Sequence, residues 1–451
     1  MIRAIESLNN LIWGIPLMLL IVAVGLYLTV KSCFLQLRLL PRALRRFLQN
    51  LWGDQSGSGM SSYRALCTAL AATVGTGNLA GVAGAIAIGG PGAVFWMWIS
   101  GFLGMIIKFT EVVCAMYYRK KMPNGEWNGG PMVNIQVGMP PKFHFLAYVF
   151  AFFGVVASFG VGNATQINTI LGGIESIAQT AGKDISFASK LIFGIILAVL
   201  VFLMFRKGVE GVGKCTQILV PVAAGTYILF SIGVLICKVK QIPLAFQMIL
   251  CGALNPEAVT GGMIGSAFLA LRTGVSRGIF TNEAGMGTAS IAHACTDTND
   301  PIEQGLMGLV EVFLDTIVIC TLTALVILCC DVAIPYGSDP GIRLTIEAFS
   351  SVYTKWIQVP LTLIVCLLAV ATILGWGVYG ARCMQFIFGQ SSWKWYILLQ
   401  SIAVVIGTVV NTATVWTLSE ITNGLMALPN LISLGYFAPK LIMKIKTYRP
   451  V

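Results

Sequence analysis

The chain has 451 residues, 57% hydrophobic and only 10% charged, with a mean hydropathy of +0.83. Soluble domains carry about 25% charged residues, so this composition excludes a water-soluble globular protein and defines a polytopic membrane protein whose main partner is the lipid bilayer. The net charge of +11 could suit a nucleic-acid partner, but the positions of the basic residues, given below, account for it without one.

In chain order the first apolar run is Leu11–Val30. It is long enough to span roughly 30 Å of hydrocarbon. Arg3 is the only basic residue before it and no small-residue cleavage site follows, so it reads as a retained helix rather than a signal peptide. Ten further spans follow: Ser62–Ile88, Pro91–Tyr118, Phe143–Ile177, Phe187–Phe205, Cys215–Cys237, Thr260–Gly278, Ile302–Cys330, Trp356–Phe388, Trp393–Asn411 and Val415–Ile442. The basic stretch after the first span reads as a cytosolic loop. Two polar or amphipathic pieces, Asn124–Pro141 and Gly341–Thr354, lie between spans, and the second has the mixed pattern of an interfacial helix.

Twenty Lys and Arg fall in loops on one side of the spans and seven on the other, with Lys108 and Arg272 inside the apolar segments. Basic loops face the cytosol, which predicts an N-terminus outside, a C-terminus inside and residence in the cell membrane. The 12 cysteines form no CxxC pair and accompany no His cluster, so no metal or redox role and no cofactor is expected.

Within the second span, residues 66–91 read LCTALAATVGTGNLAGVAGAIAIGGP. Gly75, Thr76, Gly77 and Asn78 stand at the middle of a segment apolar enough for lipid. A helix-interior glycine costs about 0.8–1 kcal/mol relative to alanine, and in hydrocarbon a freed amide needs another partner. The segment therefore reads either as close helix packing or as a helix broken around a bound polar ligand. Thr260–Gly278 is glycine-interrupted as well. After the first helix the remaining ten spans divide five and five, each five opening on an interrupted span. That pattern predicts an extra N-terminal helix and loop over 1–59, a first repeat over 60–240 and an inverted second repeat over 241–451. The binding site then lies between the two breaks.

Gly89-Gly90-Pro91-Gly92-Ala93-Val94-Phe95-Trp96-Met97-Trp98, with Gly104 following, closely resembles the signature of the alanine/glycine:cation symporters, the sodium:alanine symporter family. Gly75–Gly81, Arg277–Gly287 and the run Thr372-Ile373-Leu374-Gly375-Trp376 resemble that family as well, in the same order over nearly the whole chain. The resemblance implies an all-α, leucine-transporter-like fold of five plus five helices with one added in front. It implies uptake of small neutral amino acids such as alanine and glycine, coupled to sodium or in some cases protons. Gly101, the pair Gly377-Val378 and Ala381 depart from the family pattern, which bears on side-chain specificity more than on transport.

An amino-acid zwitterion in a low-dielectric site needs partners for both charges. Backbone amides at Gly75, Thr76 and Gly77, at a half-helix start, suit the carboxylate, with Asn78 either joining them or capping the helix. Gln166 either bonds a neighbouring helix or meets ligand, and the resemblance points to ligand. Thr372 and Trp376 lie one turn apart and face one side, where Trp376 would limit substrate size. Phe268 and Gly274 line the pocket or pack in the core. For the cation, the hard oxygens of Thr73, Thr372, Asn78 and the Ala72–Val74 carbonyls are candidates, against ordinary back-bonding of mid-helix hydroxyls.

Lys108 and Glu111, three apart, are expected to pair with each other. Glu311 and Asp315 form a like-charge couple with either a proton-coupling role or polar contacts. Arg277 and Glu283 form the candidate inner gate. An intramembrane enzyme is disfavoured, because the two histidines, His144 and His293, near cytosolic span ends, have no catalytic or zinc spacing. A passive channel and a carrier of larger neutral amino acids such as glutamine remain the alternatives.

Overall fold

The computed structural model describes residues 12, 15–52, 59–180, 182–262, 266–410 and 412–447. Nearly all of this is helix, with one two-stranded hairpin pairing Lys120–Lys121 against Trp127–Asn128. Among the described residues, seven helices are long and apolar enough to cross a bilayer, and two bent pairs bring the number to nine. Two expected spans, Ala267–Asn282 and Ser392–Gly407, are helices of 16 residues each. At 1.5 Å per residue they fall short of a full crossing alone. Apolar side chains such as Ile192, Ile195, Ile196 and Val199 of Phe187–Phe205 point outward, as a lipid-facing helix requires.

The first interrupted span is broken as its glycines predict. Ser61 caps the helix Ser62–Thr73, its hydroxyl accepting from the Arg64 amide. The chain then turns extended at Val74 and restarts at Gly77–Gly89, bent by 50°. The first turns after the break are π-helical over Gly77–Gly81.

The second break lies later than the sequence suggested. Gly274 and Gly278 do not interrupt the helix Ala267–Asn282, and Gly261 and Gly262 lie before it with positive φ. The helix stops instead at Glu283, which takes a left-handed conformation, and Gly285 and Gly287 also have positive φ. Glycine reaches that region at little cost, so the turn at 283–287 is built by these two residues before Thr288–Ala294 resumes. The two broken spans lie side by side in opposite senses. Ser62–Thr73 packs on Thr288–Ala294, and Gly77–Gly89 packs on Ala267–Asn282.

The basic stretch expected as a loop contains the helix Leu35–Trp52, set at 83° to the N-terminal helix. Its Arg42 and Arg46 both pair with Glu303. The amphipathic piece at Gly341–Thr354 is helical over Arg343–Tyr353, and a short apolar helix, Ile242–Leu254, that the hydropathy pass did not isolate adds to the packing.

Candidate functional site

A cavity opens beside the first break, with about 340 Å³ of space between protein atoms including its mouth. Ala72, Thr73, Gly75, Thr76 and Gly77 form one wall and Val161 and Gln166 a second. Phe280, Thr281 and Glu283, at the end of the half-helix Ala267–Asn282 of the second broken span, form a third, and Thr372 of the long helix Gln358–Phe388 completes it. The cavity thus sits where both broken spans lose their helical bonding. Gln166 lies on Thr165–Thr180, just after a π-helical turn at Gly160–Ala164. Its Nε2 donates to the Val161 carbonyl at 3.0 Å, while its Oε1 is buried and has no partner among the described residues.

The candidates distribute unevenly around this cavity. Gly75, Thr76, Gly77, Thr73, Gln166 and Thr372 line it together. Asn78 turns away: its Oδ1 accepts from the Gly75 amide at 2.9 Å and its Nδ2 donates to Asp315 at 2.7 Å. It satisfies the Gly75 amide within the break and ties the restarted helix to the span Pro301–Cys329. Trp376 is fully buried behind the wall, its indole donating to Glu283 Oε1 at 2.9 Å. Its Cβ sits where a side chain on Gly162 would have to go. Phe268 is 54% exposed and outside the cavity. Gly274 lets its helix approach Ala93 and Trp96, so it serves packing. Thr73 back-bonds to Ala69, and Thr372 donates both to Ala71 across the helices and to Leu368.

The charged pairs differ from those suggested by spacing. Arg277 bonds Asp339 at 3.1 Å rather than Glu283, because it lies a turn and a half before the break, on the half-helix that packs against Gly77–Gly89. Glu283 faces the cavity, and its other oxygen accepts from Thr288 at 2.6 Å. Lys108 meets Glu311 at 3.3 Å. Glu111, the partner that spacing suggested for it, accepts instead from the amides of Gly285 and Gly287 at 3.0 and 3.1 Å and from Asn430 at 2.6 Å. A carboxylate thereby satisfies the amides freed by the second turn, the arrangement favoured at a half-helix start. Asp315 is held by Asn78 and Thr316. In the sequence, a glutamate followed by glycines at 285 and 287 looks like the end of a span, so nothing in that pattern marks Glu283 as cavity wall.

Two antiparallel broken helices with a polar cavity at their breaks define a secondary transporter. The family model described as the sodium:alanine symporter family matches residues 1–451, and the chain belongs to that family. It is 36% identical to the sodium/alanine symporter AgcS of Methanococcus maripaludis, over 100% of this chain and 98% of that protein. It is also 33% identical to a probable sodium/glutamine symporter, GlnT, of Bacillus subtilis, over 98% and 89% of the two chains. The fold is similar to that in the crystal structure of MhsT in complex with L-phenylalanine, with TM-score 0.60 and 14% identity, covering 86% of this chain and 99% of that one.

Proposed function

We propose that this protein carries a small neutral amino acid such as alanine or glycine together with sodium, the two halves rocking around the cavity at the breaks. The amides of Thr76 and Gly77, at the start of a half-helix where no intrahelical acceptor is within reach, receive the substrate carboxylate. Gln166 Oε1 and the Glu283 carboxylate receive its ammonium. Thr73, Thr372 and the carbonyls preceding Gly75 offer the cation its oxygen ligands. The observation that carries this reading is the buried Oε1 of Gln166, without a hydrogen-bond partner among the described residues, on a side chain that lines one cavity with the backbone of Gly75–Gly77. A buried acceptor left unmatched costs about 1–3 kcal/mol, a cost that a bound ammonium offsets.

The five-plus-five inverted repeat over 60–240 and 241–451, with 1–59 in front, and the N-outside, C-inside orientation belong to the same proposal. The antiparallel broken spans and the asymmetry of basic loops support them. The test is radiolabelled uptake into proteoliposomes under an imposed sodium gradient. Alanine accumulating above its outside concentration is the expected result. Equilibration without accumulation, whatever the gradient, identifies a passive channel and overturns the reading.

A further inference from the structure

A buried imidazole lies outside the cavity. His293, on the inner half of the second broken span, is fully buried. Its Nε2 lies 3.2 Å from Glu311 Oε2, and its Nδ1 lies 2.7 Å from Gln304 Nε2. In this arrangement Gln304 donates to Nδ1, so the imidazole is neutral and donates from Nε2 to the carboxylate. Gln304 Oε1, the other atom of that fully buried amide, has no hydrogen-bond partner among the described residues. A proton added at Nδ1 needs an acceptor there, and a half-turn of the Gln304 amide brings Oε1 to that position. The same three side chains therefore satisfy either imidazole or imidazolium.

Several charged groups lie around this cluster. From the helix Ala93–Tyr118 come Lys108 and Glu111; Glu311 lies on Pro301–Val312, and Glu283 stands at the break. Lys108 Nζ lies 3.3 Å from Glu311 Oε1, an oxygen with no other partner among the described residues. Other cations on the packed elements are engaged elsewhere. Arg64 donates to Gln217 and Gly59, and Arg382 to Glu126 and Gln385. Glu303 is held by Arg42 and Arg46. The remaining titratable side chains on these elements and on the end of the half-helix itself, including Tyr63, Cys67, Cys114, Cys295, Tyr379 and Cys383, are phenols and thiols, uncharged near neutral pH in their ordinary range. Lys108 thus faces three carboxylates, and buried charge of one sign is costly.

We propose that His293, with Gln304 and Glu311, is a proton-binding site coupled to the substrate cavity through Lys108 and Glu283. The coupling to transport rests on the function proposed above; the proton site itself does not. Lys108 is shared by Glu311, beside the imidazole, and Glu283, in the cavity wall, through their fields. A proton on His293 relieves Glu311's hold on Lys108 and leaves that charge freer to offset Glu283. Linkage then requires that substrate shift proton affinity by the factor by which the proton shifts substrate affinity.

The chain has 2 histidines, so His144→Gln leaves His293 as its sole imidazole. His144 sits outside the cavity, bonded to the Met139 carbonyl. We expect ¹⁵N-histidine NMR of this full-length variant in nanodiscs to show an imidazole that takes up a proton as the pH is lowered. Saturating alanine with sodium should shift its midpoint by at least about threefold in proton affinity. An imidazole neutral throughout, or a midpoint that alanine leaves in place in a protein that transports alanine, overturns the proposal. As a second arm, sodium-driven uptake should vary with pH in the wild type and be flat in His293→Gln; an unchanged pH profile in that variant also overturns it. If the wild type transports no alanine, the functional reading fails separately, and the titration alone then decides whether the proton site exists.

Discussion

Glu283 links the two parts of the site, because one oxygen holds Trp376 and the other holds Thr288 while the residue itself forms cavity wall. A hydrogen bond to a charged group contributes about 1.5–3 kcal/mol. Trp376→Phe keeps the bulk but removes the indole donor, so alanine affinity should fall by roughly tenfold or more by calorimetric titration; unchanged affinity would detach Trp376 from the site. Phe268→Ala, on the exposed face, should leave the same affinity within about twofold. At Gly75 an added Cβ would lie 3.0 Å from Thr372 Oγ1, and Gly75→Ala should abolish binding while the protein still elutes as a folded particle. The glycines, threonines and Gln166 were legible in the sequence because each is a polar or breaking residue in an apolar run. Phe268 was not, since an apolar side chain on a membrane helix reads the same whether it faces lipid or ligand. Gly377, a departure from the family pattern, is explained by its neighbour: the Phe205 ring occupies the space a side chain would take.

The breaks are maintained by groups outside the cavity. Asn78 accepts from the Gly75 amide of the first, and Glu111, itself held by Asn430, accepts from the amides of the second. Removing one partner of a buried charged network costs about 3–5 kcal/mol. Glu111→Leu should therefore lower the melting temperature markedly and abolish transport, measured by intrinsic fluorescence and uptake; a wild-type melting curve would show that the second turn holds without it. The first break was legible because its glycines stand at the break itself. The second was misplaced because Gly274 and Gly278 serve close packing against Ala93, Trp96 and Ser100. The true turn follows a left-handed glutamate that composition does not reveal. Pairing by spacing failed for Lys108 for a related reason. Glu111 is three residues away, but the freed amides of Gly285 and Gly287 claim it first.

Across the whole molecule the two ends of the cavity are closed unequally. On the side of the Ser62–Thr73 start, the Met60 amide donates to the Asp297 carboxylate and the Met60 carbonyl accepts from the Asp297 amide and the Thr296 hydroxyl, while Arg119 reaches the Thr298 carbonyl at 2.6 Å. At the opposite end the half-exposed pair Arg277–Asp339 joins the second broken span to the loop after Cys330. A partly exposed pair contributes at most about 1 kcal/mol. Arg277→Ala should change uptake by less than about fivefold, whereas Asp297→Ala, which unties the other end, should cost far more; the reverse order would show that the ends are misjudged. The helical class and its broken spans were legible from hydropathy and glycine. The helix at Leu35–Trp52 was not, because its four arginines and interior proline read as loop until its apolar face found the span beginning at Pro301.

The central claim is that substrate binds at the coming-apart of two antiparallel helices, and a cryo-EM map of the protein with alanine and sodium tests it most directly. The account predicts density for the amino acid between the Thr76–Gly77 backbone, Gln166 and Glu283. Ligand density at another place, with this cavity filled only by solvent, would contradict it.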